Sequence, residues 1–247
     1  MKKPEMIIFD YGHTLLYEPD WNSERGDMEL FKYITKNPNN CTLEDIKKEI
    51  NIVFDEIDKI RKNLNYDIPC SVGNRLAYDH LGIEFSLNSL EKEIVFWTAA
   101  CPGAVVPYTD TMLHYLKEKG IRTAVISNNG WSGEALKNRI NRLLPDNQFE
   151  FIISSSDYMV RKPDKRLFEI ALHKAGLTAD KVWYCGDSIV ADVFGSKSVG
   201  MFPVHFEGDI PIKKSYEYKK EDIAIDFEYL HIHDWREMIE VLEKISM

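Results

Sequence analysis

The sequence predicts an α/β protein: a parallel sheet with helices on both faces, and a helical segment inserted after the first strand. Three observations predict it. Met6-Ile7-Ile8-Phe9 is a continuous apolar run that ends abruptly at Asp10, as a strand buried on both faces does. From residue 100 onward, strand-like runs alternate with helical patterns, the signature of a parallel sheet. Between the two, residues 17–99 read as helical, without a convincing buried strand. The organisation is therefore 1–16 plus 100–247 for the α/β core and 17–99 for the insertion.

The elements follow in order. Helices are expected around 24–36, 73–81 and 87–98. Another follows Thr42-Leu43-Glu44-Asp45, a capping box with Asp replacing the usual Glu. Beyond it Ile46, Ile50, Val53, Phe54, Ile57, Ile60 and Leu64 recur at helical spacing, a packing stripe. Asp67 to Gly73 reads as a turn. Pro102-Gly103 marks the return to the core. A helix over 110–119 stops at Gly120, followed by a strand over 121–126 that ends at Ser127-Asn128-Asn129-Gly130. A helix around 132–143 leads to a strand over 149–153. Pro163 and Asp164 suit the first turn of a helix running to Gly176. Val182 to Cys185 is a strand ending at Gly186-Asp187-Ser188, and a helix then runs from about 189 to Gly200. Phe202 to Phe206 reads as an edge strand because of Pro203. A short strand over 229–232 and a helix over 234–245 close the chain.

Composition bounds the function. The 247 residues are 44% apolar and 29% charged, ordinary for a soluble globular protein. No apolar run approaches a membrane span, and Pro4 and Glu5 interrupt any signal-peptide core, so a cytoplasmic protein is expected. A net charge of −9 argues against nucleic-acid partners and is compatible with a small phosphorylated ligand in a local basic pocket. Cys41, Cys70, Cys101 and Cys185 are scattered, which points to free thiols and argues against a zinc site. The oligomeric state is not legible.

A parallel sheet places all its strand carboxyl ends on one edge, where open α/β folds bind their ligands. Asp10, Ser127 and Gly186-Asp187 would meet there. Here the chain resembles the haloacid dehalogenase superfamily of phosphohydrolases. The matching residues are Asp10 to Thr14, Ser127 after a strand, Lys162 before Pro163, and Gly186-Asp187-Ser188 with Asp192 beyond. The resemblance implies a Rossmann-like core with the 17–99 segment as an α-helical cap. It also implies a Mg²⁺-dependent phosphatase acting on a small phosphorylated metabolite through an aspartyl-phosphate. Asp10 would be the nucleophile. Asp10, the Gly12 carbonyl and Asp187 would hold Mg²⁺, which takes hard oxygen ligands. Thr14, Ser127, Asn128 (mainly through its backbone) and Lys162 would meet the phosphate, Lys162 also serving catalysis as a positive charge. Asp192 would support the metal or Lys162 from behind.

One position departs from the family pattern. Its phosphatases carry a second Asp two residues after the nucleophile, as general acid and base, and here that residue is Gly12. Three accounts are open. His13 supplies the proton. Alternatively, the substrate has a leaving group needing none, such as an acyl phosphate or a phosphonate. Superfamily phosphonatases use a cap lysine, and Lys32, Lys36, Lys47, Lys48, Lys59 and Lys62 are available. In the third account turnover is impaired and the chain is a ligand-binding or scaffold protein. A dehalogenase, which also lacks the second Asp, is disfavoured by Asp187 and Asp192. Trp21, Arg25, Trp97 and the stretch Ser71 to Arg75 are read as packing or surface rather than site.

Overall fold

The computed structural model describes residues 1–64, 66–210 and 224–246, apart from the side chains of Lys62, Asn63 and Ser246. The chain begins with β1 (Met6–Phe9) and the short β2 (Leu16–Tyr17), followed by α1 (Ser23–Phe31) and β3 (Ile34–Lys36). Then come α2 (Leu43–Leu64), α3 (Cys70–Leu81), β4 (Glu84–Phe85), α4 (Ser89–Ala100) and β5 (Ala104–Val105). The core resumes with α5 (Thr109–Glu118), β6 (Arg122–Ser127), α6 (Gly133–Leu143), β7 (Phe149–Ser154) and α7 (Lys165–Ala175). Last are β8 (Val182–Gly186), a π-helical turn Ile189–Phe194, α8 (Gly195–Ser198), β9 (Phe202–Phe206), β10 (Leu230–Ile232) and α9 (Trp235–Ser246).

Six strands form one parallel sheet in the order β10-β9-β8-β1-β6-β7. β1 lies between β8 and β6, and all four of its residues are buried. Ile7 and Phe9 join the core under α5, α6 and α9, through Met112, Leu136, Ile140, Trp235 and Leu242. Met6 and Ile8 join the opposite core under α7, through Leu167, Phe168 and Ala171. The two-residue alternation of a strand thus feeds two apolar layers, which is why the run carries no polar residue before Asp10.

Several expectations shift. The inserted segment is not all helical: β3 and β4 pair antiparallel, Ile34 with Phe85 and Lys36 with Glu84. Two or three residues per strand are too few to show a periodicity. β2 and β5 form a second antiparallel pair, Leu16 with Val105 and Tyr17 with Ala104, bracketing residues 18–103. The helix expected over 24–36 stops at Phe31, because residues 34–36 pair with β4. α3 starts at Cys70, inside the stretch read as a turn. Pro163 precedes α7, whose N-cap is Asp164, accepting from the Arg166 N–H at 2.9 Å. β9 is not an edge strand. Pro203 is tolerated because β10 pairs only from Val204 onward, leaving Pro203 with β8 alone. The Thr42–Asp45 box forms as expected, with Thr42 N–H on Asp45 Oδ2 at 2.8 Å and Asp45 N–H on Thr42 Oγ1 at 3.2 Å.

Candidate active site

The register assembles the site. Phe9 stands opposite Val125 on β6 and Cys185 on β8, so Asp10, Ser127 and Asp187 follow at the same sheet edge. Asp10 N–H continues the ladder onto the Cys185 carbonyl at 2.8 Å. Its side chain meets Lys162, whose Nζ donates to Asp10 Oδ1 at 2.8 Å, Asp192 Oδ1 at 2.6 Å and the Tyr184 hydroxyl at 2.8 Å. Lys162 is buried, with three acceptors for its three protons.

Each neighbour has a reason to be there. Asn128 clamps the Lys162 backbone at both ends: its Nδ2 donates to the Lys162 carbonyl at 3.0 Å and its Oδ1 accepts from the Lys162 N–H at 2.7 Å. The side chain expected to act mainly through its backbone therefore fixes the lysine. Tyr184 points from β8 under Lys162 and donates to the Ile126 carbonyl at 3.0 Å. Sequence reading missed Tyr184 as a supporting residue. A Tyr inside a strand buried on both faces needs a partner for its hydroxyl, and that was the available signal. Asp192 sits in the π-helical turn and accepts from Ser188 N–H on Oδ2 at 3.0 Å. Gly186 makes room for it. A Cβ there would lie 2.3 Å from the Asp192 carboxylate carbon.

Asp10, Asp187 and Asp192 bring one carboxylate oxygen each within 4.8 Å of one another. Three carboxylates thus cluster at the edge, with Lys162 paired to two of them. Burial raises the Asp10 pKa, Lys162 opposes it, and Asp192 and Asp187 raise it further. Asp192 is likewise raised by burial against Lys162. Burial lowers Lys162, but the Asp10 and Asp192 carboxylates more than offset that and leave it raised. The effect of the neighbouring carboxylates on Asp10, Asp192 and Lys162 is in each case to favour added positive charge. Hard carboxylate oxygens in this number fit Mg²⁺.

The turn after Asp10 supplies the rest. Gly12 borders open space, since a Cβ built on it meets nothing within 4 Å. His13 adopts a left-handed backbone at φ 57°, with Nδ1 at 3.5 Å from Asp187 Oδ2. That contact raises the His13 pKa, against partial burial. Thr14 is fully buried, and its hydroxyl has no hydrogen-bond partner among the described residues. Ser127 ends β6 in a buried position beside Ser154.

The other sequence candidates pack elsewhere. Trp97 is buried and stacks on Trp131 at 5.4 Å. Arg25 binds the Ala100 carbonyl at 2.8 Å, Trp21 lies 6.3 Å from the Phe96 ring, and Ser71 to Arg75 fall within α3. Lys32, Lys36 and Lys47 pair with Glu29, Glu84 and Glu24, and Lys48 and Lys59 are exposed. The Lys62 side chain lies outside the described residues.

The sheet's carboxyl edge thus holds clustered carboxylates and a buried lysine, the kind of site that can bind a cation and a phosphate together. The chain belongs to the haloacid dehalogenase-like hydrolase family, whose model matches residues 77–205, and is an enzyme of that class. The matched stretch carries Ser127, Lys162, Asp187 and Asp192, while Asp10 precedes it. Over 99% of this chain and 95% of the relative, it is 24% identical to a glyceraldehyde 3-phosphate phosphatase of Pyrococcus furiosus. A shorter stretch, 41% of this chain and 42% of the relative, is 34% identical to the protein of the same name from Pyrococcus abyssi. Among solved structures, an HAD phosphatase from Thermococcus onnurineus matches with a TM-score of 0.59 at 20% identity over 98% of both chains. A 2-haloacid dehalogenase from Pseudomonas syringae pv. Tomato DC3000 matches at 0.58 and 20% over 99% of both. These two structural likenesses concern the fold.

Proposed function

We propose that the chain is a Mg²⁺-dependent phosphatase acting on a small phosphorylated metabolite, with Asp10 as nucleophile. The observation that carries this reading is the charge imbalance at the sheet edge, three clustered carboxylates of which Lys162 pairs with two. A dehalogenase attacking carbon has no use for that excess, whereas a divalent cation balances it. Asp10, the Gly12 carbonyl and Asp187 would hold Mg²⁺, which when bound offsets the charge of an approaching phosphate. Lys162 neutralises Asp10 and the transferring phosphoryl group, and Asp192, Tyr184 and Asn128 keep it in place. Ser127 and the unpartnered Thr14 hydroxyl are the donors offered to phosphate oxygens.

In the reaction, an Asp10 oxygen forms a bond to phosphorus as the ester oxygen departs with the electron pair. Water then attacks the aspartyl-phosphate, releasing phosphate and restoring the carboxylate. His13, in the same turn as Gly12 and beside Asp187, would give the leaving group its proton. Residues 18–103, bracketed by the β2–β5 pair, act as the cap that excludes water during attack. The relatives named glyceraldehyde 3-phosphate phosphatase make a phosphorylated triose the first metabolite to try. Free cysteines at all four positions suit a reducing cytoplasm. No helix among the described residues is long and apolar enough to cross a membrane.

The test is hydrolysis of p-nitrophenyl phosphate and acetyl phosphate, with and without Mg²⁺, for wild type and Asp10→Asn. Mg²⁺-dependent turnover lost in Asp10→Asn is expected. Wild-type turnover no higher than that of Asp10→Asn, with Mg²⁺ and phosphate still bound, would overturn the reading and favour a binding role.

A further inference from the structure

We propose that His205, Glu207 and His231, with His233 beside them, form a second metal site, of the imidazole–carboxylate kind that takes Zn²⁺. The proposal stands apart from the phosphatase reading. It rests on the parallel pairing of β9 with β10, which sets His205 opposite His231 and Phe206 opposite Ile232. Alternation then sends Phe206 and Ile232 into the core, both 1% exposed. The residues two apart, His205 with Glu207 and His231 with His233, share the other face. Glu207 N–H extends the pairing onto the Ile232 carbonyl at 2.8 Å, which keeps Glu207 in register.

The side chains already converge. His205, Glu207 and His231 each bring one ligand atom within 4.8 Å of the others. His231 Nε2 lies 3.0 Å from Glu207 Oε2. The His205 and His231 rings are 4.7 Å apart and the His231 and His233 rings 4.5 Å. Tetrahedral Zn²⁺ with bonds of about 2.0–2.1 Å needs ligand atoms roughly 3.4 Å apart. Rotation of the exposed Glu207 and His231 side chains, turning the His231 ring out of its stack on His205, would bring the ligand atoms to that spacing. Imidazole with one carboxylate suits Zn²⁺ and its late-transition neighbours better than Mg²⁺.

His205 is also prepared from behind. It is buried, and its Nε2 lies 3.2 Å from the Asp187 carbonyl. A carbonyl only accepts, so Nε2 carries the proton and Nδ1 carries the lone pair for a metal. A ligand histidine that donates its other N–H to a backbone carbonyl is the usual supporting arrangement at metal sites. The same hydrogen bond ties this patch to the loop bearing Asp187. The scattered cysteines argued against zinc, but the histidines reach one face through strand register instead.

The test is a Zn²⁺ titration of the whole chain by calorimetry, on wild type and in excess Mg²⁺ to compete at the acidic cluster around Asp10. A parallel Co²⁺ titration is read by visible absorption, since four-coordinate nitrogen-containing Co²⁺ sites absorb far more strongly than octahedral oxygen ones. One Zn²⁺ per chain and an intense Co²⁺ spectrum are expected. His231→Ala and Glu207→Ala, both at exposed positions, should each weaken Zn²⁺ binding. Loss of a supporting partner alone typically costs about 10–100-fold in affinity, so loss of a ligand should cost at least the upper end of that range. Absence of Zn²⁺ binding to wild type would overturn the proposal. Binding unchanged in both variants, or a weak octahedral Co²⁺ spectrum, would place the ion elsewhere and overturn it as well.

Discussion

If the chain is the phosphatase proposed, Gly12→Asp should speed its hydrolysis of alkyl esters. The backbone already accepts a side chain: a Cβ at Gly12 meets no heavy atom within 4 Å. Gly12 is also absent from the glycines with positive φ, so an L-residue adds no backbone strain there. The substitution therefore changes chemistry with little cost to folding. A new carboxyl beside Asp10 and Asp187 enters a field of like charge, which favours its protonated form, the form a general acid needs. General acid–base catalysis is worth about 10²–10⁴-fold, or roughly 3–5 kcal/mol of barrier. The assay compares kcat/KM for p-nitrophenyl phosphate and for an alkyl phosphate such as glycerol phosphate. kcat/KM reports the steps up to leaving-group departure, and nitrophenolate leaves without a proton. The alkyl phosphate should gain about 100-fold or more and p-nitrophenyl phosphate less than about tenfold. Equal changes for both substrates, or no gain for the alkyl ester in a folded variant, would refute the reasoning.

Two further perturbations probe the same molecule. Lys162→Met leaves Asp10 and Asp192 buried without their counter-charge, which should cost about 3–5 kcal/mol. Thermal melting should fall by roughly 6–20 °C and recover in part with Mg²⁺, and an unchanged melt would refute the charge balance described. Asp27→Asn tests burial inside the inserted segment. Burial pushes the Asp27 pKa up to about 6 from 3.8, with Lys47 opposing. The folded state then holds the proton more tightly than the unfolded, so stability falls as pH rises through that window. Asp27→Asn should be more stable than wild type by about 1–3 kcal/mol near neutral pH, by urea unfolding. The advantage should vanish near the unfolded value, and an equal gain at both pH values would contradict the assignment.

What the sequence made legible follows the range of each interaction. β1 could be read because four buried residues in a row have few other homes, and the Thr42–Asp45 cap because its partners are three residues apart. The β3–β4 and β2–β5 pairs could not, because each is short and its partner is distant in the chain. Pro203 misled for a related reason. A proline excludes a pairing partner only where one is present, and β10 begins one residue later. At the site, Asp10, Lys162, Asp187 and Asp192 were placed together by motif order, and the structure brings these four into one cluster. Tyr184 and the Asn128 side chain escaped because they act on Lys162 across strands. The His205–His231 patch escaped because only the strand register brings its residues together.

The arrangement around Lys162 also bears on the missing acid. Asn128 holds the lysine's backbone, Tyr184 and Asp192 hold its head, and Gly186 is kept small so that Asp192 fits. Four positions thus serve one ammonium beside Asp10, a heavy investment in charge control. By contrast, Gly12, two residues beyond Asp10, has no side chain and opens onto free space. In the proposed reaction, a site so divided would stabilise a phosphoryl group in transfer and give little help to a departing alkoxide. Among phosphorylated metabolites, it should therefore rank acyl phosphates and enol phosphates above simple alkyl esters. His13 narrows that gap only where its Nε2–H reaches the ester oxygen while Nδ1 stays on Asp187.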